Sequence, residues 1–202
     1  MKILLVSDIH SDYSAAESIY HEEKPDFVLD CGDHAEIKNL FESVPHFYIH
    51  GNHEPSQIVF RANEMPLPNK IQPGQILTLE KDEKKLRIAG LDGNYSNNRY
   101  GVSKKGIAGL ESIPEGGLDI LLTHESPLLL PQNSGYLKLA RKVIHEIDRI
   151  KPRFVFSGHL NDYKELQTPR GVKNIVLEDL AKGYGLLNGD NLEFERKICR
   201  FR

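Results

Sequence analysis

Five short apolar runs in this sequence of 202 residues are each followed by residue types that bind metal ions. Carboxylate, imidazole and amide oxygen donors suit manganese, iron or zinc better than copper or calcium. Two such cations about 3.5–4 Å apart can clamp the attacking and leaving oxygens of a phosphoryl transfer. The residues in question are Asp8 and His10, Asp33, Asn52 and His53, His124, and His159 with Asn161 two positions later.

Each of these motifs alone also has a purely structural explanation. Five separate structural explanations would all have to apply at the same edge of one sheet, which is an improbable coincidence. We therefore interpret the five motifs together as a metal site. The individual explanations are a surface turn for Asp8 and His10, a helix N-cap for Asp33, a left-handed turn for Asn52, a half-buried imidazole for His124 and a turn for His159.

The first quarter of the chain alternates apolar runs with helical periodicity. Ser14 and Glu17 fit a capping box that would start one helix, and the apolar spacing from Ile37 to Val44 predicts another. Strand, helix, strand, helix, strand implies parallel crossovers, so the carboxyl ends of the strands meet at one ligand-binding edge. The predicted strands cover residues 2–6, 27–29 and 47–49.

The sequence pattern in the rest of the chain predicts further strands and one amphipathic helix. A turn at residues 81–84 joins two strands into a hairpin, and residues 92–106 are polar without a period, which indicates a loop. Asn188 to Asn191 are typical of a second hairpin turn. The remaining elements are strands at 120–122 and 154–156, and a helix through residues 139–147 that ends before Pro152.

Composition narrows the class of protein. Lys and Arg total 26 against 29 Asp and Glu, and the formal net charge of −3 disfavours a nucleic-acid binder. No apolar run approaches the roughly 20 residues of a membrane helix. Cys31 and Cys199 cannot build a disulfide framework, which favours a cytoplasmic location. No linker or repeat divides residues 1–202, so we expect a single domain.

The order of the motifs resembles the calcineurin-like metallophosphoesterases. That family reads D-x-H, G-D-x-x-D, G-N-H-[DE], a lone His and G-H-x-H, and the matching blocks run here from residue 8 to residue 161. The resemblance implies an α/β fold, a four-layer α/β/β/α sandwich with two mixed β-sheets. It also implies a binuclear metal-dependent phosphohydrolase, in which a metal-bound hydroxide attacks a phosphate ester in line.

The resemblance further implies a role for each matching residue. His53 would not bind metal but would stabilise the transition state or protonate the leaving oxygen, and Glu54 would support the ligands. Manganese is the favoured metal, with iron, zinc or nickel as alternatives. The implied ligands are Asp8, His10 and Asp33 for the first cation, and Asp33, Asn52, His124 and His159 for the second.

Two positions depart from the family pattern. Glu36 replaces the second aspartate of G-D-x-x-D, and Asn161 stands where the last histidine would complete the first metal's shell. An amide oxygen is a weaker, neutral ligand, so the first site is expected to be weaker or partly empty. Asp162 or His34 could compensate, although for His34 we favour a position in solvent or in support of a ligand.

The substrate expected from this pattern is a small phosphate ester, a phosphodiester before a phosphomonoester. Arg99, in the predicted loop, could hold a phosphate through its planar guanidinium group, or the loop could simply be solvated. Two other functions remain open. A protein-binding scaffold on the same fold is favoured by Asn161 but not by the intact Asn52 and His53. A nuclease is disfavoured by the chain's charge.

Overall fold

Two β-sheets pack face to face in the computed structural model, which describes residues 1–34, 41, 43–54, 69–96, 98–131 and 135–199. The described helices are α1 (Tyr13–Glu23), α2 (Lys104–Ser112) and α3 (Leu137–Ile150). The described strands are β1 (Lys2–Val6), β2 (Phe27–Asp30), β3 (His46–Tyr48), β4 (Leu77–Lys81), β5 (Lys84–Leu91), β6 (Ile120–Glu125), β7 (Phe154–Gly158), β8 (Lys164–Gln167), β9 (Lys173–Val176), β10 (Gly183–Asn188) and β11 (Glu193–Ile198).

The first sheet has the strand order β11-β10-β1-β2-β3. Strands β1, β2 and β3 run parallel, with Val6 opposite Asp30 and Asp30 opposite Tyr48. This confirms the predicted parallel crossovers. Strands β10 and β11 form an antiparallel hairpin at the other side of β1, so the sheet is mixed.

The second sheet has the strand order β4-β5-β6-β7-β9-β8. Strands β5, β6, β7 and β9 are parallel, whereas β4 and β8 pair antiparallel at the two edges. The hairpin predicted around residues 81–84 joins β4 to β5. The carboxyl ends of the central strands of both sheets lie along the same side of the molecule, because His124 in β6 contacts the Cys31 carbonyl after β2 and the N–H of His159 after β7 contacts Asp8 after β1.

The apolar faces of the two sheets form the central core. Leu5 and Leu29 from the first sheet pack with Leu122 and Phe156 from the second. Each such side chain contributes roughly 1.5–3 kcal/mol through burial. Helix α1 covers the outer face of the first sheet, and α2 and α3 cover the outer face of the second. These layers confirm the predicted α/β/β/α sandwich with two mixed sheets.

Several local predictions need correction. Asp12 rather than Ser14 caps α1, because the Asp12 carboxylate accepts the Ala15 N–H at 3.2 Å, and Ser14 lies inside the helix. The loop predicted for residues 92–106 is shorter, because Ser103 caps α2 and the helix begins at Lys104. The helix predicted over residues 37–44 falls mostly outside the described residues.

No helix in the described ranges is both long and apolar enough to cross a membrane.

Candidate metal centre

Two clusters of ligand atoms lie at the shared edge of the sheets. Within each cluster the donor atoms all lie within 4.8 Å of one another, and both clusters contain Asp33. Strands β1 and β2 supply one side of the site and strands β6 and β7 supply the other. The clusters are Asp8, His10 and Asp33, and Asp33, His124 and His159.

Asp33 lies at the centre of this arrangement and is 1% exposed. Its Oδ1 accepts the backbone N–H of His53 at 2.7 Å, which leaves Oδ2 to face His124. Burial opposes ionisation, but the contact with His124 and the N–H of His53 hold the pKa of Asp33 at about 2. The group is thus a carboxylate with two oxygens directed to different neighbours, as a bridging ligand requires.

The imidazole of His124 is oriented by the opposite sheet. Its Nδ1 lies 2.8 Å from the Cys31 carbonyl oxygen and donates to it, so Nε2 points into the site. There Nε2 lies 2.9 Å from Asn52 Oδ1 and 3.4 Å from Asp33 Oδ2. Burial disfavours the imidazolium, but Asp33 and Asp8 raise the pKa of His124 to about 9.

The donor atoms therefore fit a divalent cation. One carboxylate oxygen, of Asp33, and one amide oxygen, of Asn52, lie within 3.4 Å of the imidazole nitrogen His124 Nε2. A backbone carbonyl fixes the imidazole from behind, which is the usual arrangement around a metal-bound histidine.

Gly51 makes room for this convergence. A Cβ atom on Gly51 would overlap Asp33 Oδ1 and lie 2.7 Å from Cε1 of His124. Both side chains could then not keep their positions. The glycine of the G-N-H block is thus required by close packing of two ligands.

Asp8 and His10 complete the first cluster. The Asp8 carboxylate accepts the Ser7 hydroxyl at 2.5 Å and the His159 N–H at 2.8 Å, and burial raises the pKa of Asp8. His10 is exposed, and its ring centroid lies 5.4 Å from that of His53. The two exposed imidazoles mark the open mouth of the site.

The backbone around the ligands is held in a rarely populated conformation. Four candidate ligands, all non-glycine, have φ between 50° and 70°. Such residues persist where the surrounding structure imposes them, and they cluster at functional sites. They are Asp8 (φ 52°), His10 (φ 50°), Asp33 (φ 65°) and His159 (φ 70°).

Glu54 holds the ligand loops together, as expected. Its carboxylate, 2% exposed, accepts the backbone N–H groups of Asp33 at 2.8 Å, His34 at 3.1 Å and Gly51 at 2.9 Å. Burial opposes its charge, but the His34 ring and the Gly51 N–H hold the pKa of Glu54 at about 2. One buried carboxylate thus fixes the loops after β2 and β3 relative to each other.

His34 does not face solvent, contrary to one of the alternatives above. Its Nδ1 lies 3.2 Å from Glu54 Oε1, and its Nε2 forms an ion pair with Asp30 Oδ2 at 2.8 Å, at an angle poor for a hydrogen bond. His46 Nε2 lies 3.3 Å from the same Asp30 oxygen. Burial opposes the imidazolium, but Asp30 and Glu54 raise the pKa of His34 well above its usual value.

Asn161 is engaged elsewhere. In the amide orientation that satisfies both groups, its nitrogen donates to both Asp179 carboxylate oxygens at 2.9 Å. This contact does not support the predicted role of Asn161 as a metal ligand. The neighbouring Asp162 is exposed. Glu36, the other departure from the family pattern, lies outside the described residues.

Sequence reasoning missed two side chains that support the ligands. Glu125 lies with Oε1 4.0 Å from His159 Nε2, and its Oε2 accepts the Tyr95 N–H at 2.5 Å. Ser7 donates to Asp8. The spacing of the G-H and D-x-H blocks carries no signal for either contact, although both residues adjoin a predicted ligand.

The comparisons with known proteins agree with this geometry. A model of the calcineurin-like phosphoesterase family matches residues 1–163. Since that match covers most of the chain, the chain belongs to the calcineurin-like phosphoesterase family. A search of curated proteins found no match.

Solved structures with the same fold include a phosphatase and an anchor protein. TT1561 of Thermus thermophilus is 16% identical over 98% of both chains, with a TM-score of 0.67. A dimetal phosphatase from Danio rerio is 11% identical over 98% of both chains, with a TM-score of 0.56. GAP50, the anchor in the inner membrane complex of Plasmodium, is 11% identical over 100% of this chain and 90% of its own, with a TM-score of 0.59. At these identities the likeness shows the fold alone.

Proposed function

We propose that this protein hydrolyses small phosphate esters with two divalent cations, manganese before iron, zinc or nickel. The observation that carries the proposal is the pair of ligand clusters that share Asp33. A shared carboxylate supports two neighbouring cations rather than two separate sites. Membership of a phosphoesterase family supports the reaction class.

The ligand assignment follows the two clusters. Asp8, His10 and Asp33 would hold the first cation. Asp33, Asn52, His124 and His159 would hold the second. Because Asn161 is engaged by Asp179, we assign three protein ligands to the first cation and expect it to bind more weakly than the second.

Two bound cations would activate water and neutralise the charge on the phosphoryl oxygens. The chain's own contribution beyond the ligands is the imidazole of His53. This side chain is exposed at the mouth of the site, and its backbone N–H is anchored on Asp33. From there it would donate a proton to the leaving oxygen, a role to which imidazole is suited near neutral pH.

A phosphodiester is the favoured substrate and a phosphomonoester is the second. The mouth of the site is formed by His10 and His53, both exposed, which suits a substrate that carries groups on both sides of the phosphorus. A proton donor matters most when the leaving group is an alkoxide, which a diester and a monoester of an alcohol both have, so His53 suits either substrate. A single domain and a cytoplasmic location, expected from the sequence, stay predictions.

The direct experiment is a manganese titration of metal-stripped protein. At each addition, the rates of hydrolysis of bis(4-nitrophenyl) phosphate and of 4-nitrophenyl phosphate are measured, together with the number of manganese ions bound per chain. We expect activity to saturate near two equivalents for the wild type and for the exposed control Asp162→Asn. Asp33→Asn should lose both metal and activity. Folded protein that binds two equivalents yet hydrolyses neither substrate would contradict the proposal.

One observation favours the second candidate, a protein-binding scaffold. Asn161 replaces a histidine of the family pattern and is engaged with Asp179, which leaves the first cation with an incomplete set of ligands. The inactive outcome of the titration would put this candidate first.

A further inference from the structure

A cleft of about 230 Å³ lies directly beside the metal centre. We call this cavity the side cleft. Gly51, which packs against the ligands Asp33 and His124, lines it. The other lining residues used below are His50, Lys70, Asp92, Arg99, Ser103 and Lys105.

The side cleft lies on the same edge of the molecule as the metal centre. His50 follows β3 and Asp92 follows β5, so the cleft lies at the carboxyl ends of strands from both sheets. The His50 N–H donates to Asp92 Oδ1 at 2.9 Å, and the Gly93 N–H donates to the His50 carbonyl at 2.9 Å. These bonds connect the loop after β5 to the loop that carries Asn52.

The side cleft carries an excess of positive charge. Lys70 and Asp92 neutralise each other through an ion pair of 2.6 Å. Arg99 and Lys105 make no ion pair with any residue in the described ranges, and the Arg99 guanidinium lies over the Tyr100 ring at 4.8 Å. Two cations without a carboxylate partner therefore face one small cavity.

The start of α2 adds to this charge. Ser103, the N-cap, lines the side cleft, and no acidic residue occupies the first turn. Lys104 and Lys105 stand there instead. The positive end of a helix dipole disfavours lysine and attracts anions. A bound anion would remove this electrostatic conflict.

His50 supplies an independent observation. It is 5% exposed, and its Nε2 has no hydrogen-bond partner among the described residues. A buried polar atom without a partner is costly, which is why such atoms usually have one. With its proton on Nε2, His50 would donate to an oxygen of a ligand in the side cleft.

The loop that carries Arg99 is anchored rather than free. Tyr95 is buried in the core under the second sheet, and its N–H donates to Glu125 at 2.5 Å. Val102 N–H donates to the Asn94 carbonyl at 2.9 Å. The backbone that carries Arg99 is thus held in place before a ligand binds, which lowers the entropy cost of binding.

We propose that the side cleft binds a second phosphate group of the substrate, held by Arg99, Lys105, His50 and the first turn of α2. The inference rests on the proposed function, because the first phosphate would be the ester at the metal centre. The cavity is smaller than the roughly 300–1,000 Å³ of typical ligand pockets, so it fits one phosphate group rather than a whole nucleotide.

A matched pair of substrates tests this inference. Thymidine 5′-(4-nitrophenyl phosphate) and its 3′-phosphorylated analogue have the same scissile bond and differ only in the second phosphate. We expect the second phosphate to raise kcat/KM at least about tenfold in the wild type at low salt. Arg99→Gln/Lys105→Gln should reduce that ratio to about one. Because the ratio compares two substrates within one enzyme, a general change in turnover cancels.

The control variant is Lys138→Gln/Arg141→Gln, which removes the same charge from exposed positions of α3. It should keep the wild-type ratio. A ratio near one in the wild type, or an unchanged ratio in Arg99→Gln/Lys105→Gln, would overturn the inference.

A second measurement does not depend on activity. Inorganic phosphate is titrated calorimetrically into metal-stripped protein at low ionic strength. We expect one binding site in the wild type and in the control variant, weakened at least about fivefold in Arg99→Gln/Lys105→Gln. If no nitrophenyl ester is hydrolysed, the proposed function fails, and this titration still decides the side cleft. Equal binding, or none in the wild type, would contradict it.

Discussion

Asp33 and His124 come from different sheets, yet the carboxylate Oδ2 of one lies 3.4 Å from the imidazole Nε2 of the other. Asp33 follows β2 in the first sheet, and His124 lies in β6 of the second. The contact forms only when the two sheets are packed, so the candidate metal centre depends on the central core. Because Asp33 lies beside His124 as well as beside Asp8 and His10, both ligand clusters include it.

The first prediction concerns Gly51. Gly51→Ala should displace Asp33 or His124, because its Cβ would lie 2.7 Å from His124 Cε1 and overlap Asp33 Oδ1. We expect manganese affinity to fall at least about tenfold, as for loss of a supporting contact around a ligand. Calorimetric titration measures it. Gly135→Ala is the matched control, because no atom of the described residues lies within 4 Å of the new Cβ.

The second prediction concerns His53. His53→Ala should bind manganese as the wild type does, because His53 is not one of the ligands assigned here. Its kcat should fall about 10²–10⁴-fold on a diester with an alcohol leaving group, and much less with 4-nitrophenolate, which leaves without a proton. Steady-state kinetics on both substrates checks this. Equal losses with the two leaving groups would remove His53 as the proton donor.

The third prediction concerns the buried ion network around His34. His34→Gln leaves the carboxylates of Asp30 and Glu54 buried without their cation, which should cost about 3–5 kcal/mol of unfolding free energy. Urea unfolding of metal-stripped protein measures it. His21→Gln, at an exposed histidine of α1, should change the stability little.

The pH dependence of this difference follows from the shifted pKa values. The pKa of Glu54 is lowered from 4.5 to about 2, so its stabilisation is present above pH 4.5 and lost as the pH falls toward 2. The pKa of His34 is raised well above 6.5, so its stabilisation is complete below pH 6.5 and lost as the pH rises through the raised value. The stability difference between wild type and His34→Gln should therefore be largest between pH 4.5 and 6.5. A stability difference that keeps growing above pH 6.5 would show that His34 is not held as a cation by Asp30 and Glu54.

The fourth prediction uses the left-handed backbone of His10. Glycine adopts φ near 50° without strain and alanine does not. Both His10→Gly and His10→Ala remove the same exposed ligand, so both should weaken binding of the first cation. In metal-stripped protein the glycine variant should be more stable by about 1 kcal/mol. Equal stabilities in urea unfolding would mean that the left-handed conformation carries no strain.

The ligand positions could be predicted because they follow from strand ends. Asp8, Asp33 and His124 each occupy the end of an apolar run, and parallel strands bring such ends to one edge. The left-handed backbone at Asp8 and Asp33 could not be predicted in the same way. It is imposed by contacts such as the Asp8 N–H to the Gly32 carbonyl at 2.9 Å, which join segments far apart in sequence.

The start of α2 was missed and the burial of His34 was left open, for related reasons. Helix α2 contains Gly109, a poor helix former, but a Cβ there would lie 2.9 Å from the Pro73 carbonyl carbon. Close packing against that segment therefore outweighs helix propensity. His34 is buried because Glu54, twenty residues later, accepts its backbone and ring N–H groups. Neither contact leaves a periodic signal in the sequence.

Anomalous diffraction from crystals of this protein grown with manganese locates the bound cations directly. We expect two manganese peaks about 3.5–4 Å apart, with the carboxylate of Asp33 between them. The peak beside Asp8 and His10 should have the lower occupancy, because Asn161 is engaged by Asp179. A single peak, or a peak at the buried Asp30, His34 and His46 cluster in place of the pair at Asp33, would contradict the proposed binuclear site.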